Sequence, residues 1–260
     1  MKYNIIISDS KVSLDLKNYI IDKINLEIDE ENPDLVIAIG GDGTIIKASH
    51  KYPSSIIFGI HTGHLGFYAN YFVEDVDLLI NDINNNTYNV YEYNVLKAEI
   101  NADNKMIVDY ALNEVTIVSP LRTLTLDVNI DDSYLERYRG TGLCISTSSG
   151  STAYNKSLHG SVLDPSITAM QLTEIASINS NAYRTLGSPI VLYKNRKICL
   201  NTIREEEKEV FITVDHINYP ISKLDSLKIY YDGKIIKMAY HNQDDFLSRI
   251  RRTFLSKDSK

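Results

Sequence analysis

A chain of 260 residues, 43% apolar and 23% charged, has enough material for a real core in one or two domains. The formal charge of −7 argues against a protein that coats nucleic acid. It also means that any bound phosphate must be held by local N–H groups, a few placed cations and a metal, not by a broad field.

The first ninety or so residues alternate strand and helix signals. Tyr3 to Ser8 reads as a strand, and Val12, Leu16, Tyr19, Ile20 and Ile24 predict one face of a following helix. Asp34 to Ile39 is short, apolar and β-branched, as a central parallel strand should be. A glycine loop follows, then a helix from Thr44 to His50, a strand from Ile56 to Ile60, and a second glycine-bearing loop from His61 to Ala69. Val76, Leu79, Ile80 and Ile83 mark an amphipathic helix, and the polar stretch 81–89 reads as a surface loop near a domain boundary. This order predicts an open, mostly parallel sheet with its ligand at the carboxyl ends of the strands.

From about Val95 period-two segments dominate: Val95–Ile100, Ile107–Val118, Leu124–Ile130, Tyr134–Tyr138, Ile190–Leu200, Glu209–Val214, Leu227–Tyr231 and Ile235–Tyr240. Asp232-Gly233 reads as a hairpin signal between the last two. One helix is expected inside this region, Pro165 to Ser177, with Ile167, Met170 and Ile175 among its apolar positions. The fold class expected is therefore an α/β domain over 1–93 joined to a β-rich domain over 94–240 with an inserted helix. A final helix, 244–257, sets Phe246, Leu247, Ile250, Phe254 and Leu255 opposite Arg249, Arg251, Arg252 and Lys257, and reads as a terminal helix docked on the body. Cys144 and Cys199 lie far apart among apolar neighbours and read as buried free thiols in a reducing cytosol. The apolar run at the start is too short for a signal peptide and no stretch approaches a membrane span, so a cytoplasmic location is expected.

Gly40-Gly41-Asp42-Gly43-Thr44 is the most informative string. Glycines at a strand-to-helix junction let a ligand approach the backbone, and the helix start offers N–H groups to an anion. A carboxylate there repels phosphate unless it binds Mg²⁺ or takes a proton from an attacking hydroxyl. The loop is neither a Walker loop nor a dinucleotide fingerprint, since Gly-Lys-Ser/Thr and the third glycine are both missing. The plainer reading is a glycine-rich turn with Asp42 as helix cap.

Two further constellations stand out. Gly140 to Ser157 runs from a short strand, Leu143 to Ile145, into a hydroxyl-dense loop around Gly150 and a helix start. Such a loop suits ribose, amide or phosphate recognition, and equally a Ser/Thr-rich turn. Asn113-Glu114 sets an amide beside a carboxylate in an otherwise apolar strand, where both need partners. The pair His61 and His64 flanks a glycine, which argues for a loop and against a zinc site.

Taken together, Gly40–Thr44, His61-Thr62-Gly63-His64-Leu65-Gly66-Phe67, Asn113-Glu114 and Ser149-Gly150-Ser151-Thr152-Ala153-Tyr154 resemble the bacterial NAD kinases, in order and spacing over nearly the whole chain. Met170–Asn179, Arg184–Pro189 and Thr213-Val214-Asp215-His216 extend the likeness. The glycine-Asp loop alone is shared with lipid kinases, while the Asn-Glu and Thr-Ala-Tyr motifs are more specific.

The resemblance implies transfer of a phosphoryl group from ATP to the 2′-hydroxyl of the adenosine ribose of NAD⁺, with Mg²⁺ or another divalent metal carried by the nucleotide phosphates. It implies a site between an α/β and a β-rich domain, a last helix returning to the first domain, and a homo-oligomer, usually a tetramer, whose subunits share sites. The acidic charge and the shortness of the basic terminal helix lead to the expectation of no nucleic-acid and no membrane partner.

Residue by residue, the likeness makes Asp42 the proton acceptor, with Gly43 against the nucleotide and Lys47 facing phosphates. Leu65 and Phe67 line the adenine side, and Asn113 and Glu114 hold the adenosine. Thr152, Ala153, Tyr154, Asn155, Lys156 and Ser157 line the NAD site, with Ala176 and Ile178 nearby. Arg139 reaches across the subunit boundary, and Thr141 stands where the family usually has a dinucleotide-contacting aspartate. Ser148 replaces a common proline and His159 a common glycine. The rival readings are a lipid or sugar kinase with the same loop, and a dinucleotide-binding protein that has lost catalysis.

Overall fold

The computed structural model describes residues 1–63, 66–203, 210–242 and 245–255. The chain divides into two units: Met1–Tyr93 with Ile236–Lys260, and Asn94–Ile235.

The first unit is built on parallel strands. In chain order it contains β1 (Lys2–Ile7), α1 (Lys11–Ile21), β2 (Glu27–Ile28), β3 (Leu35–Gly40), α2 (Asp42–Lys51), β4 (Ile56–His61), β5 (Tyr71–Phe72) and α3 (Val76–Asn85). The strand order is β2-β1-β3-β4, all parallel, with β5 also parallel to β4. All six residues of β3 are buried, because helices cover both of its faces. Leu35, Ile37 and Ile39 belong to one core with Leu16 and Ile20 of α1 and Leu79, Ile80 and Ile83 of α3. On the other face α2 lies so close that a Cβ on Gly59 would meet Ile45 Cδ1 at 2.6 Å.

The second unit contains most of β6 (Asn89–Ala102), then β7 (Lys105–Ala111), β8 (Glu114–Val118), β9 (Leu124–Ile130), β10 (Ser133–Gly140), β11 (Gly142–Thr147), α4 (Tyr154–Ser157), β12 (Ala169–Ile175), β13 (Ile190–Tyr193), β14 (Lys197–Thr202), β15 (Val210–Val214), β16 (Ile217–Ile221) and most of β17 (Leu224–Tyr240). One antiparallel sheet runs β13-β12-β11-β8-β15-β16. A second joins β10, β9, β14 and β17, with the β6–β7 hairpin added at β17. Alternate residues of both sheets share one core, among them Ile145, Leu172, Ile117, Leu126, Leu200 and Ile229. The tail of β17 belongs to the first unit, where Lys237 and Met238 pair parallel with β4, and α5 (Phe246–Ile250) follows it. Among the described residues no helix is long and apolar enough to cross a bilayer.

Several local expectations are corrected. Pro165–Ser177 is not a helix: residues 169–175 form β12, and the unit's helical insert is the short 149–157 segment. Gln171 and Thr173 are buried polar residues that bond Ser161 and Asn155, so a strand covered on both faces loses its alternation. Asp232-Gly233 does not turn a hairpin; β17 runs straight through it, with Gly233 at φ +94°. Residues 81–85 continue α3 instead of forming a loop, and Asp82 is buried against Tyr71, Thr87 and His241. On α1, Val12 and Tyr19 face outward, while Ser13 is buried and bonds Ser8 and Ser10. Cys144 is buried as expected, whereas Cys199 is only half-buried.

The terminal helix departs from the expected polarity at three positions, while Phe246, Ile250 and Phe254 are half-buried and Arg251 and Arg252 exposed as expected. Leu247 and Leu255 are exposed, and Arg249 is buried. Its hydrogen bonds to the 67–70 segment, described below, are what make that burial tolerable.

Candidate active site

In the first unit β3 runs into α2 through Gly40 and Gly41. A Cβ on Gly40 would lie 2.3 Å from Thr44 Oγ1, so only glycine lets the helix start fold back on the strand. A Cβ on Gly41 or Gly43 would meet nothing within 4 Å, so this face of the helix start is open to a ligand. The helix cap is Gly41, and Asp42 is the first helical residue.

The carboxylate of Asp42 does not cap α2; it crosses to the second glycine loop. Oδ2 accepts from Phe67 N–H at 2.7 Å and Oδ1 from Tyr68 N–H at 3.1 Å. Two donors leave each oxygen a further lone pair. Gly66 is glycine for the same reason, since any Cβ there would overlap this carboxylate. Lys47 is exposed on α2 one turn beyond Gly43, and Phe67 packs on Phe254 with ring centroids 5.4 Å apart. Leu65 lies outside the described residues.

In the second unit the strand expected over 107–118 breaks at Leu112-Asn113, between β7 and β8. The break is held by Asp215. Its Oδ2 accepts from Leu112 N–H at 2.7 Å, and Oδ1 accepts from Asn113 at 2.7 Å and Glu114 at 3.2 Å. Asp215 itself sits at φ +51° between β15 and β16 and returns its own N–H to Glu114 O at 3.0 Å. The sequence assigns Asp215 no role of its own; its signals are its place in the Thr213–His216 likeness and an acidic residue closing an apolar strand.

The hydroxyl-dense loop closes over this break. Thr147 Oγ1 donates to Leu112 O at 2.7 Å, and a Cβ on Gly150 would fall 2.1 Å from Asn113 O. The loop's hydroxyls are spent mostly on building it: Ser148 on Ile167 O, Ser151 on Leu163 O, Thr152 on Ser149 O. Asn155 is fully buried and bonds Ser151 O, Ser161 O and the Thr173 hydroxyl, so its side chain holds the loop. Tyr154, Lys156 and Ser157 are exposed, and Ala153 is half-buried.

Glu114 is the chemically unusual group here. It lies opposite Ser146 on β11 and is half-buried, and its buried Oε2 has no hydrogen-bond partner among the described residues. Burial first, and the nearby Asp215 carboxylate second, push it up to about 8, while the N–H of Tyr154 favours its charged form. An orphaned buried carboxyl oxygen is an open demand for a donor.

Arg139, Thr141, Ala176 and Ile178 come together elsewhere. Arg139 stacks on Tyr183 at 3.8 Å, and its carbonyl accepts from Ile178 N–H at 2.8 Å. Thr141 N–H donates to Ile175 O at 3.0 Å, and Ala176 has φ +47°. This cluster adjoins Gly142, at the opposite end of β11 from Thr147, and five strand steps put the ends roughly 17 Å apart. The structure thus splits the expected binding residues of this unit into two groups. Among the described residues no set of three His, Cys, Asp or Glu side chains is arranged to hold a metal ion.

A glycine loop presenting a carboxylate at an open helix start, on an α/β unit followed by a β-rich unit, defines a phosphotransferase that delivers a phosphoryl group to an alcohol. Residues 7–88 match the ATP-NAD kinase N-terminal domain and residues 95–238 the ATP-NAD kinase C-terminal domain. NAD kinases of Staphylococcus aureus strains JH9 and Newman are each 40% identical over 271 aligned residues, spanning 100% of this chain and of theirs. The chain belongs to the NAD kinase family. The fold is also that of yeast NADH kinase complexed with NADH (TM-score 0.85, 17% identity, 100% of this chain and 89% of that one). An NAD kinase from Archaeoglobus fulgidus in complex with ATP shares it too (TM-score 0.76, 18% identity, 97% and 99% covered).

Proposed function

We propose that the protein is an ATP-dependent NAD kinase in which Asp42 accepts the proton of the adenosine-ribose 2′-hydroxyl as that oxygen attacks the γ-phosphorus of ATP. The new O–P bond forms as the bond from the γ-phosphorus to the β,γ-bridging oxygen breaks, giving NADP⁺ and ADP. One observation carries the reading: Asp42 is fixed by two backbone N–H groups at the open start of α2, with lone pairs to spare. Phosphoryl transfer asks for alignment and charge neutralisation more than covalent chemistry. The N–H groups of the helix start and Lys47 serve the phosphates. A divalent cation carried by those phosphates would neutralise developing charge when bound.

Asn113 and Glu114 hold the adenosine moiety. Ribose hydroxyls would supply the donor that Glu114 Oε2 lacks among the described residues. Tyr154, Ala153 and Thr152 line the same loop. We further propose a homo-oligomer, probed best by light scattering, in which the Arg139 cluster serves a neighbouring copy. Exposed Ile178, Tyr183 and Leu186 near that cluster support it. Two free thiols and the reducing setting they suit support a cytoplasmic location.

The decisive experiment incubates the protein with ATP, Mg²⁺ and NAD⁺ and detects NADP⁺ with an NADP-specific dehydrogenase. Asp42→Asn is expected to keep the fold and NAD⁺ binding while losing about 10²–10⁴-fold in turnover. Near wild-type turnover in that variant removes the base assignment.

A further inference from the structure

We infer that Arg249, on the C-terminal helix, is a positioning residue for phosphoryl transfer, because it holds the peptide segment whose two N–H groups aim the Asp42 carboxylate. The inference rests on Asp42 being the proton acceptor.

Arg249 is only 8% exposed, although the sequence sets it on the charged side of its helix. A buried guanidinium persists only where acceptors meet its fork. Here one Nη donates to Phe67 O and the other to Asn70 Oδ1. Asn70 in turn donates from Nδ2 to Tyr68 O at 3.2 Å and Ala239 O at 3.3 Å. Phe67 and Tyr68 are the two residues whose N–H groups hold Asp42, at 2.7 and 3.1 Å. The segment 66–70 has no helix or strand of its own, so side-chain ties, together with the bond from Asn70 N–H to Gly59 O at 3.2 Å, set the direction of those N–H groups. Burial lowers the guanidinium's proton affinity, and Tyr93 first and the negative charge of Asp42 second oppose that loss. The two charges therefore sense one another as well as sharing a peptide.

Lysine cannot replace this arrangement. It offers a point charge on a flexible stem and cannot span a carbonyl and an amide oxygen in a fixed plane.

The test is a double-mutant cycle on the full chain, with steady-state kinetics and thermal melts for Arg249→Ala, Arg249→Lys, Asp42→Asn and Arg249→Ala/Asp42→Asn. Displacement of a reacting group by a remote change predicts a kcat about a hundredfold lower in Arg249→Ala, with the KM for NAD⁺ within about twofold. Arg249→Lys recovers less than about a tenth of the loss, and added guanidinium ion restores part of it in Arg249→Ala. In the Asp42→Asn background the same change costs less than about twofold, because the group being aimed is gone. A full, multiplicative loss in that background overturns the inference, as does a folded Arg249→Ala with kcat within about twofold of wild type. Should Arg249→Ala not fold at the assay temperature, Asn70→Ala takes its place in the cycle with the same expectations. A near wild-type Asp42→Asn would instead strike the base reading itself, and so the two failures are told apart.

Discussion

A Cβ atom on Gly66 would lie 2.1 Å from Oδ1 of Asp42 and 2.6 Å from Oδ2. The contact is with the end of a side chain, so Gly66→Ala has an escape: Asp42 swings away and the backbone stays. That variant should melt within a few degrees of wild type yet lose about a hundredfold in kcat. Kinetics and a thermal melt on one preparation check both halves, and unchanged turnover would show that the carboxylate's place is unimportant.

Gly150 faces a harder neighbour. Its added Cβ would meet the carbonyl oxygen, carbonyl carbon and Cα of Asn113 at 2.1, 2.5 and 2.5 Å, all of them backbone. No rotamer relieves that clash. Gly150→Ala should therefore cost about 1–3 kcal/mol of stability and, by displacing Asn113 and Glu114, raise the KM for NAD⁺. Urea unfolding and substrate titration read the two effects.

Glu114 sets a pH dependence. Its carboxyl is pushed up from 4.5 to about 8 by burial and then by Asp215. Between these values the folded chain keeps a proton that the unfolded chain has released. Glu114 thus weighs nothing against folding below the lower value, and its penalty grows with pH until the upper one is passed. Across this window the slope from a single group approaches about 1.4 kcal/mol per pH unit. Glu114→Gln keeps the shape without the titration, so the difference in urea midpoint between variant and wild type should widen from pH 5 to pH 8. A constant difference would mean that Glu114 does not titrate there.

His159 occupies φ +62° just past α4, with its N–H on Lys156 O at 3.1 Å. A side chain in the left-handed region costs about 1–2 kcal/mol, which glycine avoids. His159→Gly is expected to stabilise the protein by about 1 kcal/mol, raising Tm by roughly 2–4 °C, with little change in kcat. A lowered Tm would mean that the imidazole makes a contact worth more than the strain.

Much of the architecture was legible in the chain. Leu35–Ile39 had to be a central strand because nothing but aliphatic side chains occupies it, and Val76–Ile83 carried a helical stripe that α3 confirms. The strand Leu124–Ile130 matches β9 residue for residue. Failures came where polar residues are buried. Gln171 and Thr173 disguised β12 as a helix, and Gly233 disguised one long strand as two, because periodicity records only where water is, not which polar groups find partners inside.

The site divides along the same line. Local order along the chain made Asp42 stand out, and the family resemblance gave Asn113-Glu114 and the Thr152–Tyr154 loop their expected roles, since glycine spacing and residue type are properties of short segments. Tertiary structure alone decided that Asp42 is held by amides twenty-five and twenty-six residues away, that Asp215 clamps the Asn113 break, and that Arg249 turns inward. Those are hydrogen bonds between segments remote in sequence. A buried charge announces itself only when the groups that compensate it have been brought into place by the fold.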